Sequence, residues 1–323
     1  MRNRRAYLLL VSAALFYAIN GIVSKWVMEA GLSPWRLTEI RTTGSLAALL
    51  LYLALKRRLP LLRPARGEWP LLALFGVIGI AAVQAFYFFS ILRLHVSIAL
   101  IIEFTAPIWI VLYLRFVKKV KISNSMWLGL LAAFIGLILV GEVWNGLTLN
   151  GLGVISSFLD ALSLATYFLL GRALGRRRST DTMLVWGFGI TSVLFAIVQP
   201  WWSFPFAIFK EQINLNGNFS GHHVVGWALI TFIILIGTVL PYLCVLSGVN
   251  ALSPQAASII GMLEPVLAGI FGWILLKETF TTIQLIGATV VLVGIFIANE
   301  KIPDSSPNNS PDSSKEGASN GEV

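Results

Sequence analysis

Ten apolar stretches recur along the chain, at about 7–28, 35–55, 70–90, 96–117, 125–142, 151–171, 181–202, 225–247, 254–276 and 281–299. Each approaches the ~20 residues that a helix needs to cross a bilayer. The expected fold is an all-α membrane protein of ten transmembrane helices. Composition agrees: the chain is 57% hydrophobic and 12% charged, against roughly 25% charged residues in a soluble domain.

The formal charge of +9 invites a nucleic-acid reading, but the placement of the cations argues against such a partner. Arg2, Arg4 and Arg5 precede the first run; Lys56, Arg57, Arg58, Arg63 and Arg66 follow the second. Arg115, Lys118, Lys119 and Lys121 follow the fourth, and Arg172, Arg176, Arg177 and Arg178 the sixth. The intervening connections hold few, chiefly Arg93, Lys210 and Lys277. Such alternation is the positive-inside pattern, and it predicts a plasma-membrane protein with both termini cytoplasmic. The basic N-terminus imitates a signal peptide, yet Asn20, Ser24 and Lys25 interrupt the run and no small-residue cleavage site follows; the segment reads as a retained first helix. A single cysteine, Cys244, supplies neither a disulfide framework nor a Cys-based metal site. His222 and His223 adjoin without acidic or Cys neighbours in sequence, so no metal is expected. Residues 301–323 read as a disordered cytosolic tail, and 203–224 as a solvated external loop.

The chain also repeats itself. An offset of 158 residues lays 71–142 on 229–300 without a gap, pairing Gly79 with Gly237, Pro107 with Pro265, Gly129 with Gly287, and Gly136 with Gly294. An offset of 147 brings the first run onto the sixth, with Lys25 opposite Arg172. Two units follow, 1–148 and 149–300, of five helices each. Because five is odd, the second unit enters the membrane from the opposite side, giving an inverted repeat with the site between the halves around a central cavity.

Within "ALIIEFTAPIWIV" (99–111), Glu103 and Pro107 sit where neither suits a water-free surrounding. Pro107 has no N–H for the carbonyl of Glu103, and Pro265 none for that of Gly261. Both prolines are expected helix breaks, tolerable where protein or a wet cavity meets the released acceptor. An ionised side chain at the bilayer centre costs about 2.5–3.5 kcal/mol on insertion scales, so Glu103 and Glu264 should face inward. Two roles fit them: neutralising a substrate ammonium, or carrying a proton coupled to substrate movement. Tyr17, Asn20 and Ser24 form one polar stripe, and Ser156, Asp160, Ser163 and Tyr167 another. In lipid, such stripes serve interhelical bonds or line a cavity. Gln84, Tyr87 and Tyr242 could orient a ligand in a mostly apolar pocket, and Trp109 could form a wall. Lys25, Glu29, Arg36, Glu39 and Arg41 could gate the cavity, but snorkelling to headgroups is the expectation. The glycine pairs are expected to provide close helix packing.

Three blocks carry a resemblance: "LHVSIALIIEFTAPIWIVLYLRFV", "ALSPQAASIIGMLEPVLAGIFGWILLKETFTTIQLIGATVVLVGIFI" and "LFYAINGIVSKW". The chain resembles the ten-helix EamA-like branch of the drug/metabolite transporter superfamily, over nearly its whole apolar region. "IEFTAPIW" is also similar to small amino-acid exporters of the threonine and homoserine type. The resemblance implies a basket of helices whose cavity is lined mainly by the first, third, fourth, sixth, eighth and ninth, and small metabolites, amino acids or drugs as substrates. It departs at "RFVKKVK", where the second half has "LLKETF", so the family's acid at Glu278 has no counterpart in the first half.

No Walker A, HExxH or GxSxG motif occurs, which argues against ATP-driven pumping and most intramembrane hydrolysis. No cofactor is expected. The predicted function is secondary active export of a small molecule, coupled to protons, by alternating access. An uncoupled facilitator or importer is the alternative, and a membrane enzyme or scaffold a more distant one. Oligomeric state is not legible.

Overall fold

A computed structural model describes residues 2–94, 96–142, 150–277, 279 and 281–299. The predicted tail, Glu278 and Glu300 lie outside the described residues. Ten helical segments form among them. They are α1 (Arg2–Glu29), α2 (Pro34–Leu55), α3 (Trp69–Ile91), the divided α4 (Val96–Glu103, Ala106–Leu112 and Tyr113–Val117), α5 (Asn124–Val140), α6 (Gly151–Gly175), α7 (Thr180–Val198), α8 (Gly226–Ala251), α9 (Pro254–Leu276) and α10 (Thr282–Asn299). Seven of these described helices, all but α2, α5 and α10, are long and apolar enough to cross a membrane. The protein is therefore an all-α membrane protein in its main architecture.

Local sequence sets the ends and the breaks. Ser33 and Ser123 accept the backbone N–H of Arg36 and Met126 (3.3 and 3.2 Å), capping α2 and α5. Pro200 follows the last residues of α7, and the predicted helix to 202 stops at Val198 because proline cannot continue it. In α4 the regular pattern lapses at Phe104 and Thr105, where Thr105 N–H and Oγ both donate to the Ile102 carbonyl (3.0 and 2.6 Å). Pro107 opens the next piece at a position where its missing N–H costs nothing. The α9 helix divides likewise at Met262, between Pro254–Gly261 and Leu263–Leu276. Wider π turns occupy Phe75–Ala82 in α3 and Leu235–Val239 in α8.

Residues 203–224, expected to be a solvated loop, are mostly exposed but carry structure of their own. Two short strands, β1 (Gln212–Asn214) and β2 (His223–Val225), pair antiparallel. Phe204, Ile208, Ile213 and Leu215 are buried with Ile22, Val23, Trp26 and Val27 of α1. Apolar residues spaced along a polar stretch thus build a packed cap over one end of the bundle.

Glycines govern the closest approach. Against Gly129, a side chain would strike the backbone at Gly294 and Ala298; against Gly136, the backbone at Gly287 and Val291. The reverse holds too, since Gly294 faces Gly129 and Gly287 faces Gly136, so α5 and α10 meet backbone to backbone. Elsewhere Gly79 abuts Tyr167, and Gly237 abuts Asn20.

Alanine at Gly136 or Gly294 is expected to destabilise the fold by about 1–3 kcal/mol, as overpacking does. Thermal unfolding in detergent measures this, with Gly261→Ala, whose added methyl meets nothing within 4 Å, as the control of unchanged stability.

Candidate functional site

Where α4 and α9 divide, a cavity of about 280 Å³ opens in the core. Its wall takes Tyr17, Asn20 and Ser24 from α1, Arg41 from α2, Gln84 and Tyr87 from α3, and Glu103 and Pro107 from α4. Tyr167 of α6, Tyr242 of α8, and Ser258, Gly261 and Glu264 of α9 complete the polar part. Spacings of three and four put the α1 residues on one helical face, and the same geometry brings Ser258, Gly261 and Glu264 into line.

Tyrosines cluster in the cavity wall. The Tyr242 ring meets Tyr17, Tyr167 and Phe188 edge to face at 5.9, 5.8 and 5.2 Å between centroids, the arrangement that ring quadrupoles favour. Its hydroxyl accepts a hydrogen bond from Gln84 Nε2 at 3.2 Å. Phe75 stacks on Tyr167 at 5.7 Å and extends the cluster towards α3. In the other direction the wall rises past Met28, Leu37, Ile91 and Leu100. These residues belong to the end of the bundle where α1 finishes and α2 begins.

Three formal charges face the cavity: Glu103, Glu264 and Arg41. Glu103 and Glu264 repel one another, and Arg41 attracts Glu264, yet no ion pair within 4 Å joins them among the described residues. Several polar atoms of the wall are buried without a partner: Asn20 Oδ1, Ser24 Oγ, Arg41 Nε and Tyr167 OH. Buried polar groups are ordinarily hydrogen-bonded, so these atoms leave donors and acceptors open to water or a polar ligand in the cavity.

Not every candidate is there. Trp109 lies off the wall; its ring packs on Phe158 at 5.1 Å and its Nε1 donates to Thr105 Oγ at 3.1 Å. Pro265 is also off the wall, the third residue of the second α9 piece. The α6 stripe divides: Ser156 and Ser163 donate to backbone carbonyls of Phe86 and Leu159, both at 2.8 Å. Asp160 is 1% exposed behind the wall, with Oδ1 unpartnered. Only Tyr167 of that stripe reaches the cavity.

The snorkelling expectation fails at α2. Glu39 is fully buried and pairs with Arg36 at 2.6 Å; Arg36 also donates to the Gln199 carbonyl at 3.1 Å. Arg41 turns to the cavity. Its signal was depth: seven residues beyond Pro34, it lies about 10 Å along the helix, far from the headgroups that would attract a helix-end arginine.

Tyr242→Phe should leave Gln84 Nε2 buried without an acceptor and lower stability by about 1–3 kcal/mol. The double variant with Gln84→Leu should recover part of this loss. Denaturation of the three variants tests the coupling.

A family profile described as "EamA-like transporter family" matches residues 4–141 and again 151–299. An "Uncharacterized transporter" of Archaeoglobus fulgidus is 25% identical over 70% of this chain and 74% of its own. "Uncharacterized transporter YdfC" of Bacillus subtilis is 23% identical over 84% of each chain, and "Protein PecM" of Dickeya dadantii is 24% identical over 77% of this chain and 78% of its own. One solved crystal structure superposes with a TM-score of 0.72 at 16% identity, covering 91% of this chain and 96% of that one, and so speaks to the fold alone.

Proposed function

Because the chain belongs to the EamA-like transporter family, we propose that it is a proton-coupled secondary active exporter of small metabolites, such as amino acids or drug-like compounds, working by alternating access. The observation that carries this reading is a pair of carboxylates, Glu103 and Glu264, facing one cavity from the two helices that break beside it. A carboxylate held in a core can exchange its charge partner, proton for substrate ammonium, without a covalent step.

The proposed architecture is ten spans in two inverted repeats, 1–148 and 149–300. Reciprocal contacts support it. Gly129 and Gly136 are offset by 158 from Gly287 and Gly294; Gly129 packs on Gly294 while Gly136 packs on Gly287, the exchange a two-fold relation requires. The Gln84–Tyr242 hydrogen bond joins positions 158 apart. Asn20 and Tyr167, offset by 147, stand against Gly237 and Gly79. The two family matches divide the chain at nearly the same place.

Orientation follows from charge. Glu68, in the connection after α2, pairs with Arg178, after α6, at 3.0 Å, and Arg58 pairs with Asp181 at 3.3 Å. The basic connections therefore share one end of the bundle. With that end cytoplasmic, both termini are cytoplasmic in a plasma-membrane protein. The wall past Met28, Leu37, Ile91 and Leu100 then lies towards the outer side, and these ion pairs hold the inner connections together.

Purified protein in proteoliposomes, offered labelled amino acids, amines and drug-like solutes with and without an imposed pH gradient, tests the function. Accumulation that follows the gradient is expected, with at least a tenfold loss in Glu103→Gln or Glu264→Gln. Gradient-independent equilibration would refute coupling, and transport of no solute would refute the reading.

These inner ion pairs give a second expectation. The Glu68 and Arg178 side chains are 4% and 7% exposed, and breaking a buried pair by removing one partner costs about 3–5 kcal/mol. Spin labels at Arg63 and Arg177 should report a longer, broader distance in Glu68→Ala than in the parent; an unchanged distribution would argue against a latch.

A further inference from the structure

Arg41 stands on the wall with both acids and is the one cation there among the described residues. We propose that Arg41 selects the cargo: its guanidinium holds an anionic group, a carboxylate above all, so that cargo with only a cationic or neutral head is carried poorly. The inference rests on the transport reading above.

Three observations carry it. The first is that no hydrogen bond or ion pair engages Arg41 among the described residues. The acid of its own helix, Glu39, is taken by Arg36 at 2.6 Å. From the packed helices Glu264, Tyr242, Tyr17 and Tyr87 face it electrostatically, but none is joined to it by a hydrogen bond or ion pair. Its Nε is buried with no acceptor. A guanidinium is a rigid fork of N–H donors matched to a planar carboxylate, so the vacant bonding capacity has a definite complement.

The second observation is the company it keeps. Ser24 Oγ, Asn20 Oδ1 and Tyr167 OH are buried, unpartnered and on the same wall. They offer donors for the second carboxylate oxygen and an acceptor for an adjoining N–H. The third is space: an added Cβ at Gly21 or Gly261, both on the wall, would meet nothing within 4 Å. Room for a ligand thus lies beside the groups that would bind it.

Specificity follows from the cost of leaving Arg41 unmatched. A site built to bond a polar group rejects an analogue lacking it far more strongly than an apolar pocket rejects a missing methylene. Arg41 would then separate zwitterions from amines, a distinction the two glutamates cannot make.

The test uses matched labelled probes on three apolar bodies: alanine, leucine and phenylalanine, each with its amide and its decarboxylated amine, in the same proteoliposomes. The parent protein is expected to carry at least one amino acid tenfold faster than its amide and amine. Arg41→Gln should raise KM for that amino acid at least tenfold and abolish the preference, while Arg41→Lys, which keeps the charge but loses the fork, should restore part of it. Unfolding temperatures of both variants separate misfolding from lost recognition, and the parent's own preference stands as evidence if either fails to fold. Equal transport of amide or amine by the parent would overturn the proposal, as would a preference that survives in Arg41→Gln. Transport of other solutes but none of these nine probes would overturn it and leave the transport reading intact; transport of no solute would overturn both.

Discussion

Everything in this bundle answers to the cost of a charge in hydrocarbon. A carboxylate on a lipid-facing surface would exact several kcal/mol of desolvation with nothing to offset it. Glu103 and Glu264 thus fix which faces of α4 and α9 turn inward. The same constraint reaches the backbone, since a broken helix exposes carbonyls that lipid cannot satisfy. Both helices accordingly break beside the cavity, and Thr105 returns two of its own donors to Ile102 at the break in α4.

Close packing is the second requirement, and it falls on residues with no side chain. Lipid tails are as apolar as leucine, so helices gain little by simple exclusion and depend on how nearly their backbones approach. The α5–α10 seam achieves this with four glycines, each of which would strike backbone if it carried a Cβ. Gly21 and Gly261 serve the opposite purpose: they line open space. One residue type in similar apolar surroundings thus either closes a contact or leaves room, and only the neighbouring helix decides which.

That distinction marks what the sequence could tell. Run lengths and charge alternation made the membrane helices legible, because span and headgroup charge are one-dimensional quantities. The two acids, the α1 stripe, Gln84 and Tyr242 were legible as inward-facing residues because a polar residue in an apolar run has few places to go, but the bond between Gln84 and Tyr242 was not. Trp109 was not, since an aromatic at helical spacing reads alike whether it meets a cavity or, as here, Phe158. Arg41 was grouped with its neighbours Arg36 and Glu39, although those two pair with each other and leave it apart. The cap at 199–225 escaped because its buried residues, Phe204, Ile208, Ile213 and Leu215, follow no single helical or strand period.

The acids also limit how alike the two proposed halves can be. At the 158-residue offset Glu103 matches Gly261 and Glu264 matches Ala106, and all four positions line the cavity. Each half therefore presents one carboxylate, but three residues out of register, close to one turn of helix. Arg41 adds to the asymmetry, for the wall has no second cation among the described residues. In the proposed alternating access, rocking the halves would exchange which side is open without exchanging the chemistry of the wall. A repeat with matched acids would present the cargo with the same charges from either side. On the proposed reading, a carboxylate on the cargo would meet Arg41, while the Tyr17, Tyr167 and Tyr242 cluster offers only rings and hydroxyls. On that reading, direction of entry would be distinguished by electrostatics within the two proposed halves.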